Sequence, residues 1–308
     1  MLAACRLCPH RCGVNRLAGA TGRCGAGAEL LIYRFGRHFG EEPPISGCRG
    51  SGTVFFSSCP LRCVYCQNHN WSQSRPLVGR TYSPGDLADI FLHLQNLGCH
   101  NVNLVTPEPW IPHIMSAVSM ARARGLSIPI VYNTSGFVTE ESLKKLANTV
   151  DVYLTDLRYS SPEEAREFSG AQEYFDASRR AAMAMLAQVG PLRYQGDGTA
   201  ARGVIVRHLI LPGLSAATDS TLTFIAERLS RAVHVSLLGQ FEPVHGAETH
   251  ATLGRRVSAR EYAGALRTLR GLGLTNGWRQ RPGTACTELL GVWMPPSDGT
   301  EFETPEDC

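Results

Sequence analysis

The stretch that most constrains this chain is residues 59–66, Cys59-Pro60-Leu61-Arg62-Cys63-Val64-Tyr65-Cys66, directly after a β-like run, Thr53-Val54-Phe55-Phe56-Ser57-Ser58. It offers three thiols at C-x3-C-x2-C spacing. A closed structural zinc site takes four protein ligands and ordinary cubane clusters take four Cys, so this set leaves one metal position without a protein ligand. A tight loop can turn all three sulfurs toward one cube while the fourth iron faces a small molecule. The competing reading is a zinc site, or a disulfide with a spare thiol. Eleven Cys in clustered spacing favour metal ligation in a reducing compartment, and an odd number fits poorly with a complete disulfide framework.

A second set precedes it. Cys5, Cys8, Cys12 and Cys24 stand at C-x2-C-x3-C-x11-C spacing in a Gly-rich segment with too few apolar residues to fold alone. Four thiols there suit a tetrahedral cage, and a metal would hold the segment together. Structural zinc and an auxiliary iron–sulfur cluster are both open, and His10 could replace one ligand. Cys48 is a bystander or approaches the cage.

With 308 residues and 43% hydrophobic content, the chain can bury a sizeable core as one domain or one domain with an appendage. A formal charge of +3, with Lys144 and Lys145 the only lysines, argues against a dedicated nucleic-acid binder. No apolar signal region follows a basic start, and no apolar run reaches about eighteen residues, so neither a signal peptide nor a membrane span is expected. The expected location is cytoplasmic.

Downstream, short apolar runs alternate with amphipathic segments. Strands are expected at 53–58, 101–106, 128–133, 150–156, 203–211 and 234–238, and helices at 87–97, 111–124, 139–148, 162–189 with a break near Gly170, 219–231 and 258–272. Residues 29–39 read as one or two short strands with a turn at Gly36, and 41–52 as a loop. This is the pattern of a parallel sheet with outer helices. Six units fall short of the eight of a closed barrel, which implies an α/β fold open on one side. The division is a Cys-rich N-terminal extension over 1–50, a barrel over 51–275, and a C-terminal segment with a flexible, acidic tail over 276–308. Cys286 in that segment is structural or a radical-relay thiol, and Cys308 is incidental. Cys99, ahead of an apolar strand, reads as a packed small hydrophobe.

In parallel barrels the ligand site forms at the carboxyl ends of the strands, and here those ends are polar: Thr106-Pro107-Glu108-Pro109, Asn133-Thr134-Ser135-Gly136, Asp156-Leu157-Arg158, Arg207-His208, and Gln240-Phe241-Glu242. Each alone is also good turn chemistry. Together they fit a zwitterionic ligand with a sugar and a base: an amino group wants a carboxylate, a carboxylate wants Arg, and ribose hydroxyls want Asp, Asn or Ser. His69, Trp71, Trp110, His208, His245 and Trp278 lie in loops or near strand ends and are candidates to line a pocket.

The segments CRLCPHRCGVNR, EEPPISG, FFSSCPLRCVYCQN, NVNLVTP, PIVYNTSG, DVYLTDLRY and RGVIVRHLILPG resemble the activating-enzyme branch of the radical SAM superfamily, which includes pyruvate formate-lyase activating enzyme, and within it PflX-type proteins. The resemblance covers about residues 5–280. It implies a partial (β/α)6 TIM-like barrel of the radical SAM type, with a 4Fe-4S cluster and S-adenosylmethionine (SAM) as cofactors. Cys59, Cys63 and Cys66 would hold the cluster. Tyr65 would lie by the adenine, and Glu108 matches the acidic position of the family's Gly-Gly-Glu turn. Asn133 and Ser135 match its third-strand turn, Asp156 and Arg158 its fourth-strand pair, and Arg207 would meet the SAM carboxylate. The chain departs from the pattern at Thr106-Pro107, where two glycines are common. The activity implied is reductive cleavage of SAM to a 5'-deoxyadenosyl radical that takes hydrogen from a substrate. That substrate is a glycyl residue of a partner enzyme or, alternatively, a small molecule or peptide, and a flavodoxin or ferredoxin would supply the electron. A non-catalytic iron–sulfur carrier is the rival from another class.

Overall fold

The computed structural model describes residues 1–283. Ten strands form the sheet: β1 (Leu30–His38), β2 (Ser51–Phe56), β3 (Arg80–Tyr82), β4 (Val102–Val105), β5 (Ile130–Thr134), β6 (Val152–Asp156), β7 (Arg193–Tyr194), β8 (Ala200–Leu209), β9 (His234–Leu238) and β10 (Gly277–Gln280). Their order is β10-β9-β8-β6-β5-β4-β2-β1-β3, with β7 set antiparallel on β8. From β2 through β10 every neighbouring pair is parallel. At the other edge β1 is antiparallel to both of its neighbours, β2 and β3. This is the expected α/β architecture of a partial barrel.

The helices are α1 (Pro43–Ser46), α2 (His69–Ser72), α3 (Pro84–Asn96), α4 (Ile111–Ala123), α5 (Glu140–Leu146), α6 (Pro162–Ser169), α7 (Tyr174–Val189), α8 (Ser215–Phe224) and α9 (Ala259–Gly271). Their ends follow local chemistry. Ser83 and Asp86 form a capping box on α3, Ser258 and Glu261 another on α9, and Thr139 and Ser161 cap α5 and α6. Gly170, at φ +66°, closes α6 in the left-handed region and accounts for the break within 162–189.

Strand alternation sorts the side chains. Outward-facing Val54, Phe56, Val102 and Leu104 pack on Leu87, Phe91, Ile114 and Val118 of α3 and α4. Tyr132, Tyr153, Val204, Val206, Val235 and Leu237 form a second outer cluster with Leu143, Ala181, Leu222 and Leu269. Cys99 is buried in the first of these. Inside the barrel, Val131, Val152, Leu154, Leu192 and Ile205 enclose Ile45, which α1 pushes in from the segment expected to be a plain loop. Burying each such side chain contributes about 1.5–3 kcal/mol. A polar layer therefore has a dry floor beneath it.

One strand is not visible in the hydrophobic pattern, and one expected turn is absent. β10 adds a seventh parallel strand beside β9, but its sequence, Gly-Trp-Arg-Gln, carries one apolar residue and no alternation. Residues 30–38 form one strand that passes through Gly36 without turning. The acidic tail, Cys286 and Cys308 lie outside the described residues. Among those described, no helix is long and apolar enough to cross a membrane.

Candidate active site

The loop after β2 carries the three thiols to the carboxyl end of the sheet. Arg62 and Val64 donate their backbone N–H groups to the carbonyls of Ser169 and Phe168 (3.0 and 2.9 Å), so the end of α6 pins the loop. Gln73 Nε2 donates to the Cys63 carbonyl (3.0 Å) and Ala247 N to the Val64 carbonyl (2.9 Å). Ser58, just before Cys59, takes φ +77°, which turns the chain sharply out of the strand.

Cys63 is the most enclosed of the three, 7% exposed. Its Sγ lies 3.0 Å from Ser169 Oγ and accepts from Arg158 Nη1 at 2.9 Å. Ser169 Oγ lies 2.5 Å from Tyr159 Oη, which lies 2.6 Å from Tyr65 Oη. The other arm of Arg158 reaches Asp156 Oδ2 at 2.5 Å. Although burial opposes its charge, the Cys63 and Asp156 partners hold the Arg158 guanidinium firmly protonated. Burial pushes the Cys59 thiol well up, with Glu108, Cys63 and Cys66 adding to it, and burial with Cys63 also raises Cys66. The three thiols are thus electrostatic neighbours in a dry place.

Glu108 begins the turn after β4 and is fully buried. Its Oε1 accepts from Thr134 Oγ1 (2.5 Å), Ser135 N (3.2 Å) and Ser135 Oγ (3.2 Å), while Oε2 is buried with no partner among the described residues. Burial raises its pKa, and the Thr134 and Ser135 donors work against that rise. Thr106, in the pair that departs from the glycine pattern, takes φ +57°, so the chain keeps a glycine-like backbone with a β-branched residue in it.

Asn133 and Arg207 belong to a different group. The Arg207 guanidinium is clamped by Glu41 and Glu42: Nε donates to Glu42 Oε1 (2.7 Å), and Nη2 to Glu42 Oε2 (2.6 Å) and to Glu41 Oε2. Asn103 and Asn133 each donate Nδ2 to Glu41 Oε1 (2.8 and 3.3 Å). The expected site residues therefore fall into three groups: Cys63, Tyr65, Asp156 and Arg158; Ser135 with Glu108, which acts on Cys59; and Asn133 with Arg207 on the acids of the β1–β2 loop, Arg207 pairing with Asp156 across neighbouring strands. Arg207 does not stand free as a cation at the mouth.

The N-terminal set docks against this site. Cys8 is enclosed enough that burial raises its thiol strongly, and Cys24, Cys12 and Cys5 all act on it. His10 Nε2 donates to the Pro60 carbonyl at 2.9 Å, Ser58 Oγ to the Cys24 carbonyl at 3.0 Å, and the buried Arg16 to the Pro109 carbonyl at 2.6 Å. His10 is thereby hydrogen-bonded to the thiol loop. Cys48 lies 3.8 Å from His100, at the opposite end of the strands. Among the described residues, no three His, Cys, Asp or Glu side chains are arranged to hold a single metal ion.

Of the aromatic and His candidates, His69 stacks on His245 (4.3 Å) and Trp71 on Tyr33 (4.5 Å) beside the loop, and Tyr65 meets Phe241 edge-on (5.8 Å). Trp110 is core, with Nε1 donating to the Ser57 carbonyl (2.9 Å). Trp278 stacks on His234 at β10. His208 faces outward, between the Leu157 carbonyl (2.7 Å) and Thr218 Oγ1 (3.0 Å). Tyr159, Ser169, Glu41 and Glu42 went unnoticed as site residues. Tyr159 had a signal, since it extends the polar strand end Asp156-Leu157-Arg158 by one, whereas Ser169 looked like any helix terminus.

A family model for the Radical SAM superfamily matches residues 53–225. The uncharacterized protein MJ0674 of Methanocaldococcus jannaschii is 31% identical over 270 residues, covering 85% of this chain and 73% of the relative. Streptococcus suis SuiB bound to S-adenosylmethionine superposes with a TM-score of 0.50 at 12% identity, over 73% of this chain. The chain spans about half (48%) of SuiB, and the likeness is one of fold.

Proposed function

The chain belongs to the Radical SAM superfamily, and on that premise we propose that it cleaves SAM reductively and abstracts hydrogen from a substrate. Cys59, Cys63 and Cys66 would hold a 4Fe-4S cluster. When bound, cluster and SAM together supply a 5'-deoxyadenosyl radical. The rest is the work of the protein. Thr134 and Ser135 fix Glu108 so that its unpartnered oxygen is the acceptor for the ligand's ammonium. That buried, uncompensated oxygen beside the thiol loop is the observation that carries the reading, because an unpaired buried acceptor costs about 1–3 kcal/mol unless a ligand meets it. Arg158 offsets negative charge at Cys63, and the Tyr65–Tyr159–Ser169 hydroxyl chain holds that thiol in place. Closing the floor with Ile45 keeps water from the reacting centre.

Cys5, Cys8, Cys12 and Cys24 would hold a second metal, zinc or an iron–sulfur cluster. The substrate in this reading is a polypeptide loop, a glycyl residue of a partner enzyme, with a small molecule or peptide as the alternative; the sheet, unclosed between β10 and β3 among the described residues, is compatible with either. A flavodoxin or ferredoxin would supply the electron.

The test is anaerobic EPR of the reconstituted, dithionite-reduced protein with and without SAM, paired with iron and zinc analysis. A reduced-cluster signal that changes with SAM is expected, with 5'-deoxyadenosine as product, and Cys63→Ala should lose both. Full SAM cleavage by that variant, or no SAM effect on an assembled cluster, would overturn the assignment. Stable product formed without a protein partner would replace the activase reading with the small-molecule one.

A further inference from the structure

Arg23, Arg62 and Arg75 come from three separate segments and converge beside the thiol loop. Arg75 Nη2 donates to the carbonyls of Cys24 (2.6 Å) and Arg23 (3.3 Å), Arg62 Nη2 to the carbonyl of Arg23 (3.4 Å), and Arg23 Nη2 to the carbonyl of Gly170 (2.5 Å). All three are exposed. Some exposed arginines pair with acids, among them Arg124 with Asp89, Arg255 with Glu261 and Arg256 with Glu242. Among the described residues none of this trio has a carboxylate partner. Glu173, the acid that acts on His10 alongside Arg23 and Arg62, forms no ion pair with them.

Two of these guanidinium groups lie close over glycines. A Cβ on Gly25 would stand 2.8 Å from Arg75 Cζ, and one on Gly170 would stand 2.7 Å from Arg23 Nη2. Gly25 has φ +76° and Gly170 φ +66°, so both positions suit glycine on backbone grounds as well. Gathering like charges at one spot is unfavourable; backbone carbonyls ease it, as do the Cys24 and Cys59 sulfurs beside Arg75, but no carboxylate among the described residues offsets it. An acidic surface from outside would.

The location says what such a partner does. Arg62 stands between Cys59 and Cys63 in the loop, Arg23 directly precedes Cys24, and Ser58 bonds the Cys24 carbonyl. The trio therefore covers the outer side of both thiol sets where they abut. We propose that Arg23, Arg62 and Arg75 form the docking surface for an acidic one-electron donor protein, which is oxidised by one electron as an iron–sulfur centre held by the adjoining thiols is reduced by one. This rests on the radical SAM reading for the identity of the centre, but names a surface and a partner charge that the reading leaves open.

The test uses the reconstituted holoprotein and a flavodoxin with an acidic rim around its flavin. Titration calorimetry at low and high ionic strength measures docking, and stopped-flow reduction by the photoreduced flavodoxin measures transfer. The triple variant Arg23→Gln/Arg62→Gln/Arg75→Gln should lose roughly tenfold or more in donor affinity and in reduction rate, and most of the salt dependence, since exposed charge contacts contribute a few tenths to 1 kcal/mol each. The extent of reduction by excess dithionite should stay as in the wild type, and the triple Lys variant should keep most of the affinity. Should the triple Gln variant assemble no cluster, Arg75→Glu alone should weaken donor binding in the same direction.

Equal donor affinity and rate in the wild type and the charge-removed variants would overturn the docking surface. So would arginine-dependent binding of a mixed-sequence oligonucleotide with no binding of the flavodoxin. An arginine-dependent donor interaction together with a cluster signal that ignores SAM would keep the docking surface and sink the radical SAM reading.

Discussion

Replacing Glu108 with Gln separates a ligand carboxylate from a structural one. In the ligand-free chain, the amide oxygen of Gln can still accept from Thr134 Oγ1, Ser135 N and Ser135 Oγ, so the turn after β4 keeps its three bonds. The amide nitrogen takes the place of Oε2, which is buried and unpartnered already. A second unpaired polar atom is exchanged for the first, and the cost of burying a charge disappears. Removing a desolvated charge of similar volume is often neutral or stabilising. The ligand-free variant should therefore be as stable as the wild type, within about 1 kcal/mol, or slightly more stable.

Binding should move the other way. The ammonium of SAM loses a charged acceptor and meets an N–H donor instead. A hydrogen bond to a charged group contributes about 1.5–3 kcal/mol, which converts to roughly tenfold to a hundredfold in affinity. Urea unfolding of the ligand-free protein gives the first quantity, and equilibrium dialysis of SAM against the reconstituted protein gives the second. Stability held with affinity lost is the signature of a ligand-facing carboxylate. SAM affinity within threefold of wild type would refute this role for Glu108, and a large loss of stability would make the residue a structural member of the β4–β5 turns.

Arg207→Met should cost the ligand-free chain about 3–5 kcal/mol in urea unfolding, because it strands the buried carboxylates of Glu41 and Glu42; unchanged stability would return Arg207 to the role of a free cation for the SAM carboxylate. His208 gives a pH dependence. Burial lowers its pKa to about 4, so between the unfolded value near 6.5 and about 4 the unfolded chain takes a proton that the folded chain refuses. Its contribution is present above pH 6.5 and lost as pH falls through that window, by about 3 kcal/mol when complete. In His208→Gln the stability between pH 7 and 5 should fall less steeply than in the wild type, and parallel curves would show that the ring titrates normally.

The sequence carried the parts of this site that depend on neighbours along the chain. Three Cys within eight residues, a strand before them and polar strand ends after them are local facts, and short apolar runs reveal β4, β5, β6, β8 and β9 because each is buried on both faces. The partners of those residues are another matter. Glu41 and Glu42 reach Arg207 across 166 and 165 positions, and nothing near either end marks the pairing. Ser169 reaches Cys63 because Gly170 ends α6 there, and β10 is strand-like only through its backbone pairing with β9.

That asymmetry bears on how the site is organised. The loop holding Glu41 and Glu42 leads from β1 into β2, and the same short segment supplies Ile45 to the barrel floor. An apolar plug and two charges thus enter together. Because Arg207 stands on β8, Asn133 on β5 and Asn103 on β4, the inserted acids tie three strands to the N-terminal region, while Arg16 and Ser58 tie that region to the mouth. The N-terminal region grips the barrel both at its interior and at its rim. Loss of order in the first 27 residues should on this reasoning loosen the Glu108 turn through the Arg16–Pro109 contact before it disturbs the sheet, whose parallel core from β2 to β9 is held by its own outer helices.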